Sequence, residues 1–200
     1  MPVKIDNRRD ILLLLLYSPG RKPEVNEPIQ GRTRLVKMLF LFREEALEHF
    51  RRGTAIDAKN FYEFFPWNFG PFSRQVFDDL NFFTLRGYIQ SRQSAEETLP
   101  ESAAEWAEWV QSAECEEDDE VSEYEEQEFL LTEARGVPYA ASLFALLSTE
   151  QRRLLREFKS RTTRIHLRAL LEYVYKNYES QTTKSLIRDQ VLGSNDKGEE

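Results

Sequence analysis

Two hundred residues suit one domain of ordinary size, long enough to bury a core without metal or disulfide staples. The one cysteine, Cys115, excludes an intramolecular disulfide or a cysteine-rich metal site, and His49 and His166 add too few ligands for structural zinc. The net charge of −8 hides a division: residues 93–136 hold sixteen acids against one base, a charge of −15, which leaves +7 on the rest.

In chain order, residues 11–16 (Ile-Leu-Leu-Leu-Leu-Leu) are too short to span a bilayer, and no small-residue cleavage pattern follows them. Asp10–Ser18 is therefore expected to be the buried first helix of a cytoplasmic protein, with Asp6 or Asn7 as its cap. A loop rich in proline and glycine, Pro19–Gly31, leads to a second helix predicted over Arg32–Arg52 and stopped by Gly53. Its apolar residues Leu35, Met38, Leu39, Phe42, Ala46 and Phe50 recur at helical spacing and form one stripe.

Residues Asn60–Phe69 read as extended and aromatic, and the turn Gly70-Pro71 precedes a third helix with Ser73 as its cap. Val76, Phe77, Leu80, Phe83 and Leu85 are expected on the buried side of that helix, which ends near Gly87. Eleven of the fourteen phenylalanines lie between Phe40 and Phe83, so this region is expected to hold the centre of the core. Leu35, Leu39, Phe42, Phe72, Val76, Leu80 and Phe83 are expected to share it.

Tyr88–Arg92 reads as a strand and Glu125–Thr132 as its partner, a hairpin of the kind that makes a wing. The hairpin tip is replaced by an acidic insertion at 93–124, which includes Trp106 and Trp109 at i, i+3 and six acids in Glu114–Glu120. An acid run repels itself and is expected to be solvated, while the tryptophans are candidate anchors for a partner. After Gly136-Val137-Pro138 the chain returns to helices, one over Thr149–Arg161 behind the capping box Ser148–Gln151 and one through Ile165, Leu170, Val174 and Tyr178. The expected organisation is a single domain over 1–192 with a disordered tail over 193–200. Its class is mainly helical α+β: a winged-helix-like domain with a small β-hairpin wing and additional C-terminal helices.

The segment Gly31-Arg-Thr-Arg-Leu-Val-Lys-Met-Leu-Phe40, followed by Phe64-Phe-Pro-Trp-Asn-Phe-Gly-Pro-Phe-Ser73, resembles the YwgA-like proteins and the related Panacea (SocA-like antitoxin) domain. Phe129–Gly136, Leu170–Tyr178 and Lys184–Asp189 extend the resemblance over most of the chain outside the acidic insert, which departs from the pattern. The resemblance implies a prokaryotic regulator or neutralising partner, of the kind associated with a toxin or a phage-defence effector. It carries over no catalytic residue.

The chemistry visible in the residues agrees with that. There is no nucleophile-elbow serine and no glycine-rich phosphate loop, and no cofactor or metal set can be assembled. Glu157-Phe158-Lys159 has the Glu-x-Lys spacing of metal-dependent nucleases, but the nearest upstream aspartates, Asp118 and Asp119, sit inside the acid run. That leaves a nuclease as a remote alternative. The third helix makes a poor DNA reader, because Asp78 and Asp79 are expected to face outward beside Arg74. Basic residues gather elsewhere: Arg32, Arg34 and Lys37 on the second helix, and Arg152, Arg153, Arg156, Lys159 and Arg164 further on. These are the candidate contacts for a protein partner or for weakly held nucleic acid. The leading expectation is a non-catalytic interaction module that binds a protein, and the alternative is a DNA-binding winged-helix regulator.

Overall fold

Helix α1 (Arg8–Tyr17) starts where the Asn7 side chain accepts from the amides of Arg9 and Asp10 while Asp10 reaches back to the Asn7 amide, a closed capping box. All six residues from Ile11 to Leu16 are fully buried, so α1 is apolar all round and runs through the middle of the molecule. In this computed structural model, which describes residues 4–52, 54–93 and 127–192, it packs on helices α5 (Gly136–Ala145) and α6 (Thr149–Arg164). It also packs on strand β5 (Gln127–Leu131). Trp106, Trp109, the acid run, nearly all of the insertion and the 193–200 tail lie outside the described residues.

The sheet beside α1 is antiparallel, with β5 in the centre between β1 (Ile29–Gln30) and β4 (Ile89–Gln93). Ile29 pairs with Phe129, and the β4–β5 ladder runs from Ile89↔Leu131 to Gln93↔Gln127. The two strands expected for the wing therefore pair as read, and the insertion begins where their ladder ends. Asn26, at φ 61°, holds the preceding loop to β5 through a two-way bond with the backbone of Leu131.

The second helix differs in detail from the single rod expected. α2 (Arg32–Leu41) passes into a π-helical turn, Phe42–Ala46, before α3 (Leu47–Phe50). The wide turn lets Phe42, Ala46, Leu47 and Phe50 all reach the interior although their spacing drifts from 3.6 residues. Next comes a short hairpin, β2 (Phe65–Trp67) paired with β3 (Gly70–Phe72), and then helix α4 (Arg74–Leu85).

Helix α4 corrects four expectations. Its buried stripe is Val76, Asp79, Leu80 and Phe83, at helical spacing; Leu85 lies two residues past Phe83 and is turned out to 88 % exposure. Phe77 is only half-buried. Asp79, expected outward, is fully buried and accepts from Arg8 Nε at 2.9 Å and Arg9 Nε at 2.7 Å. Ser73 stands at the N-cap position, but its buried hydroxyl makes no capping bond.

On the C-terminal side, the Ser148–Gln151 capping box forms, and Gln151 Nε2 also donates to Phe50 O at 2.6 Å. Helices α7 (Leu167–Asn177) and α8 (Arg188–Leu192) complete the described chain. The molecule is thus a mixed helical and antiparallel-sheet protein, mainly helical. Its core unites Leu35, Leu39, Phe42, Val76, Leu80 and Phe83, while Phe72 stays half-exposed on the β2–β3 hairpin.

Candidate interaction surface

The basic residues singled out in the sequence divide into an inner and an outer set. Lys159 is fully buried, and its Nζ donates to three carbonyls: Leu16 and Ser18 at 2.8 Å and Glu27 at 2.7 Å. Burial pushes this ammonium down to about 7, opposed by the Glu27 carboxylate. Arg34 donates to Thr162 O at 2.7 Å and Ile165 O at 2.8 Å, and Lys37 donates to Pro71 O at 3.0 Å; both are buried. These three cations tie chain segments together from inside and do not face an outside partner. Arg152 is partly exposed and caps the end of α5 through Phe144 O and Ala145 O.

The outer set is smaller. Arg153, Arg156 and Arg164 are exposed along α6; Arg153 pairs with Glu157 at 3.6 Å, and the other two have no partner among the described residues. Glu157 and Lys159 do not converge: one is in solvent and the other in the core. The Glu-x-Lys spacing therefore forms no joint site. Among the described residues, no group of three or more His, Cys, Asp or Glu side chains is placed to hold a metal. None of their helices is long and apolar enough to cross a membrane.

The remaining outer cation, Arg32, leads to the surface that sequence reading placed in the core. Its guanidinium lies 5.4 Å from the ring centroid of Phe77. From Phe77 a line of rings continues to Phe72 at 5.2 Å and Phe65 at 5.4 Å, and Trp67 lies 6.0 Å from Phe65. The β2–β3 register explains the line. Phe65 and Trp67 are two apart on one strand, and Phe72 is the cross-strand partner of Phe65, so all three project from one face. Phe65 is 42 % and Trp67 43 % exposed, an unusual placement for two large rings side by side.

The back of the hairpin is locked. Lys37 holds Pro71 O, and Asn68 O accepts from Ser185 Oγ at 3.0 Å and from the Leu186 amide at 2.9 Å. Tyr175 bonds Ser185 Oγ at 2.6 Å, and burial pushes its phenol up to about 12. The Tyr175 ring closes over Gly70, where φ is 83° and an added Cβ would meet Cε2 at 2.9 Å. Glycine is required there for both reasons. Pro66 and Pro71 face each other across the strands, fix φ, and remove two amides that an incoming strand would need.

The result is a rigid face of rings that offers side chains, not a free sheet edge, to a partner. Within the aromatic segment 61–69, Phe61, Tyr62, Phe64 and Phe69 are buried, whereas Phe65 and Trp67, which flank Pro66, are not. Compared with known proteins, the chain matches no family model, no curated protein and no solved structure.

Proposed function

We propose that this protein is a non-catalytic, winged-helix-like interaction module whose β2–β3 hairpin face anchors a protein partner. The observation that carries the reading is the pair Phe65 and Trp67, each more than two-fifths exposed on a hairpin held rigid from behind. Exposed aromatic and arginine side chains on a preorganised support are the usual anchors of protein interfaces, because they bury large areas with little loss of side-chain freedom. A helix, α4, followed by the antiparallel pair β4–β5 with β5 central supports the winged-helix comparison, although the β2–β3 hairpin stands between the second helix and α4. The YwgA-like and antitoxin resemblance of Gly31–Phe40 and Phe64–Ser73 supports a toxin or defence effector as the partner. The test is affinity purification of the full chain from its native host beside a Phe65→Ala/Trp67→Ala variant. A stoichiometric protein kept by the first and lost by the second is the expected result; the same protein on both would reject the hairpin as the anchor.

A second reading, a nucleic-acid-binding regulator, is favoured by Arg156 and Arg164, which are exposed on α6 without partners among the described residues. Helix α4, where a winged-helix DNA reader would place its contacts, argues against it. Its exposed residues include Asp78 and Leu85, which offer a phosphate nothing to hold.

A further inference from the structure

We propose that residues 19–27 form a proton-sensitive latch, closed from inside by Lys159, that holds wing strand β5 in place. This is a device of the fold and does not depend on the hairpin face. It begins with how the segment is fastened. The side chains of residues 21–25 are all exposed, Val25 among them, so no apolar side chain of this stretch anchors it. Polar contacts hold it instead. Lys159 Nζ donates to Leu16 O and Ser18 O where the segment starts and to Glu27 O where it ends. The Glu27 carboxylate accepts from the Lys22 amide at 3.2 Å and pairs with Arg21 Nε at 3.5 Å. A segment fastened by polar groups around one buried cation can open while the hydrophobic core stays closed.

The latch reaches the wing through Asn26. Its amide donates to Tyr17 O at 2.8 Å. Its side chain accepts from the Leu131 amide at 2.8 Å and donates to Leu131 O at 3.0 Å. Asn26 sits at φ 61°, a conformation that Asn tolerates better than most residues. Leu131 pairs with Ile89 at the start of the β4–β5 ladder. An opened latch therefore gives up both side-chain bonds at the root of the wing.

The proton selects between closed and open because water and the interior treat the ammonium differently. Inside, the charge has lost its hydration, and burial lowers Lys159 to about 7, opposed by Glu27. The other charges nearby are engaged elsewhere: Arg21 with Glu27, Arg34 of α2 at Thr162 O and Ile165 O, and Glu45 of the π-helical turn with Arg161. Helix α1 contributes the apolar run Ile11–Leu16, and on α6 itself Arg156 and Glu157 are in solvent. Once the latch opens, the lysine returns to water and to its ordinary 10.5. The open state thus holds the proton more firmly, and falling pH favours it. The ratio of open to closed should grow roughly tenfold as pH falls from 9 to 8 and level off near 7.

The test is amide hydrogen exchange on the full-length protein between pH 7 and 9, with each rate divided by the intrinsic rate at that pH. The Asn26 and Leu131 amides should exchange faster than those of Leu12–Leu16 in α1, and their protection should rise about tenfold from pH 8 to pH 9. Lys159→Met has no proton to exchange there, so its latch amides should show lower protection and a flat profile. Should that variant fail to fold, the wild-type profile decides alone. Asn26→Gly, which keeps the turn, should strip Leu131 of its protection while the Lys22 amide, bonded to Glu27, keeps its pH dependence. Protection of Asn26 equal to that of α1 at every pH would mean that the segment opens only with the whole fold. A flat wild-type profile would remove the proton from the device. Protection that falls as pH rises would mean that the three carbonyls favour the ammonium and that the proton closes the segment. A pH response at Asn26 that is absent at Leu131 would cut the link to the wing. Each of these four results overturns the proposal.

Discussion

The Lys159 ammonium and the Glu27 backbone are joined at 2.7 Å across 132 residues of chain, inside the protein. With the bonds to Leu16 and Ser18, this contact closes the loop between α1 and β1 from both ends. Gly20 lies against the Lys159 stem and the Glu27 carboxylate, which an added side chain would have to displace. A buried cation of this kind has a consequence for stability against pH. Its folded value is lowered to about 7 from the ordinary 10.5. Between those values the unfolded chain holds the proton more firmly than the folded one, so stability should rise as pH increases through that window. The slope has an upper limit of about 1.4 kcal/mol per pH unit for one proton. The burial penalty is complete below pH 7, while the three carbonyls and Glu27 act to keep the proton. Urea unfolding at several pH values between 7 and 10, on wild type and Lys159→Met, isolates the contribution. Parallel pH curves for the two proteins would show that Lys159 does not titrate in that range.

A second expectation separates the core from the hairpin face. Leu39 is fully buried, so Leu39→Ala should cost about 2–5 kcal/mol. Phe72 was expected in the same core but is half-exposed among the rings. Phe72→Ala should cost clearly less in a thermal melt and show its main effect on partner binding. Equal losses of stability in the two variants would contradict this division.

That division also shows what the sequence could reveal. Helices α1 and α6 are readable because a capping box and an apolar pattern agree at each start. The wing strands are readable because their apolar ends, Ile89 and Leu131, pair in register. Arg34, Lys37 and Lys159 are not readable as interior residues, since a charged side chain signals surface until its carbonyl partners are known, and here those lie 34 to 143 residues away. The hairpin face is hidden for a different reason. Its aromatic segment supplies both the core and the surface, and counting phenylalanines adds the two together.

Asp79 gives a third prediction. It is buried, with the Arg8 and Arg9 side chains 28 % and 43 % exposed on either side; burial, and after it the Asp79 charge, holds the nearby Tyr62 phenol well above its ordinary range. Removing both arginines strands a carboxylate in the interior, so Arg8→Ala/Arg9→Ala should cost about 3–5 kcal/mol. Adding Asp79→Asn to that pair should recover much of the loss, because the uncompensated charge is gone. If the triple variant is no more stable than the double one in chemical unfolding, the arginines matter for packing on Tyr62 and Phe82 and not for charge.

The last prediction concerns nucleic acid and the arginines left in solvent. Arg153, Arg156 and Arg164 share the outward side of α6, where the exposed Glu150 and Glu157 are the opposing acids beside them. Arg152 does not belong with them, since its donors are occupied at Phe144 and Ala145. A three-cation stripe without base-reading side chains grips phosphates and ignores sequence. Duplex DNA should therefore bind weakly, without sequence preference, and with a steep dependence on salt. Each phosphate contact contributes about 0.9 to the slope of log affinity against log salt concentration. Changing all three arginines to glutamine should flatten that slope by about 3 if each meets one phosphate. Trp67→Ala should leave DNA binding unchanged, because the rings and the stripe serve different ligands. Anisotropy titrations with one labelled duplex at several salt concentrations measure both effects. Tight, sequence-dependent binding that survives the triple change and disappears with Arg74→Ala would instead make α4 the reader and the protein a DNA-binding regulator.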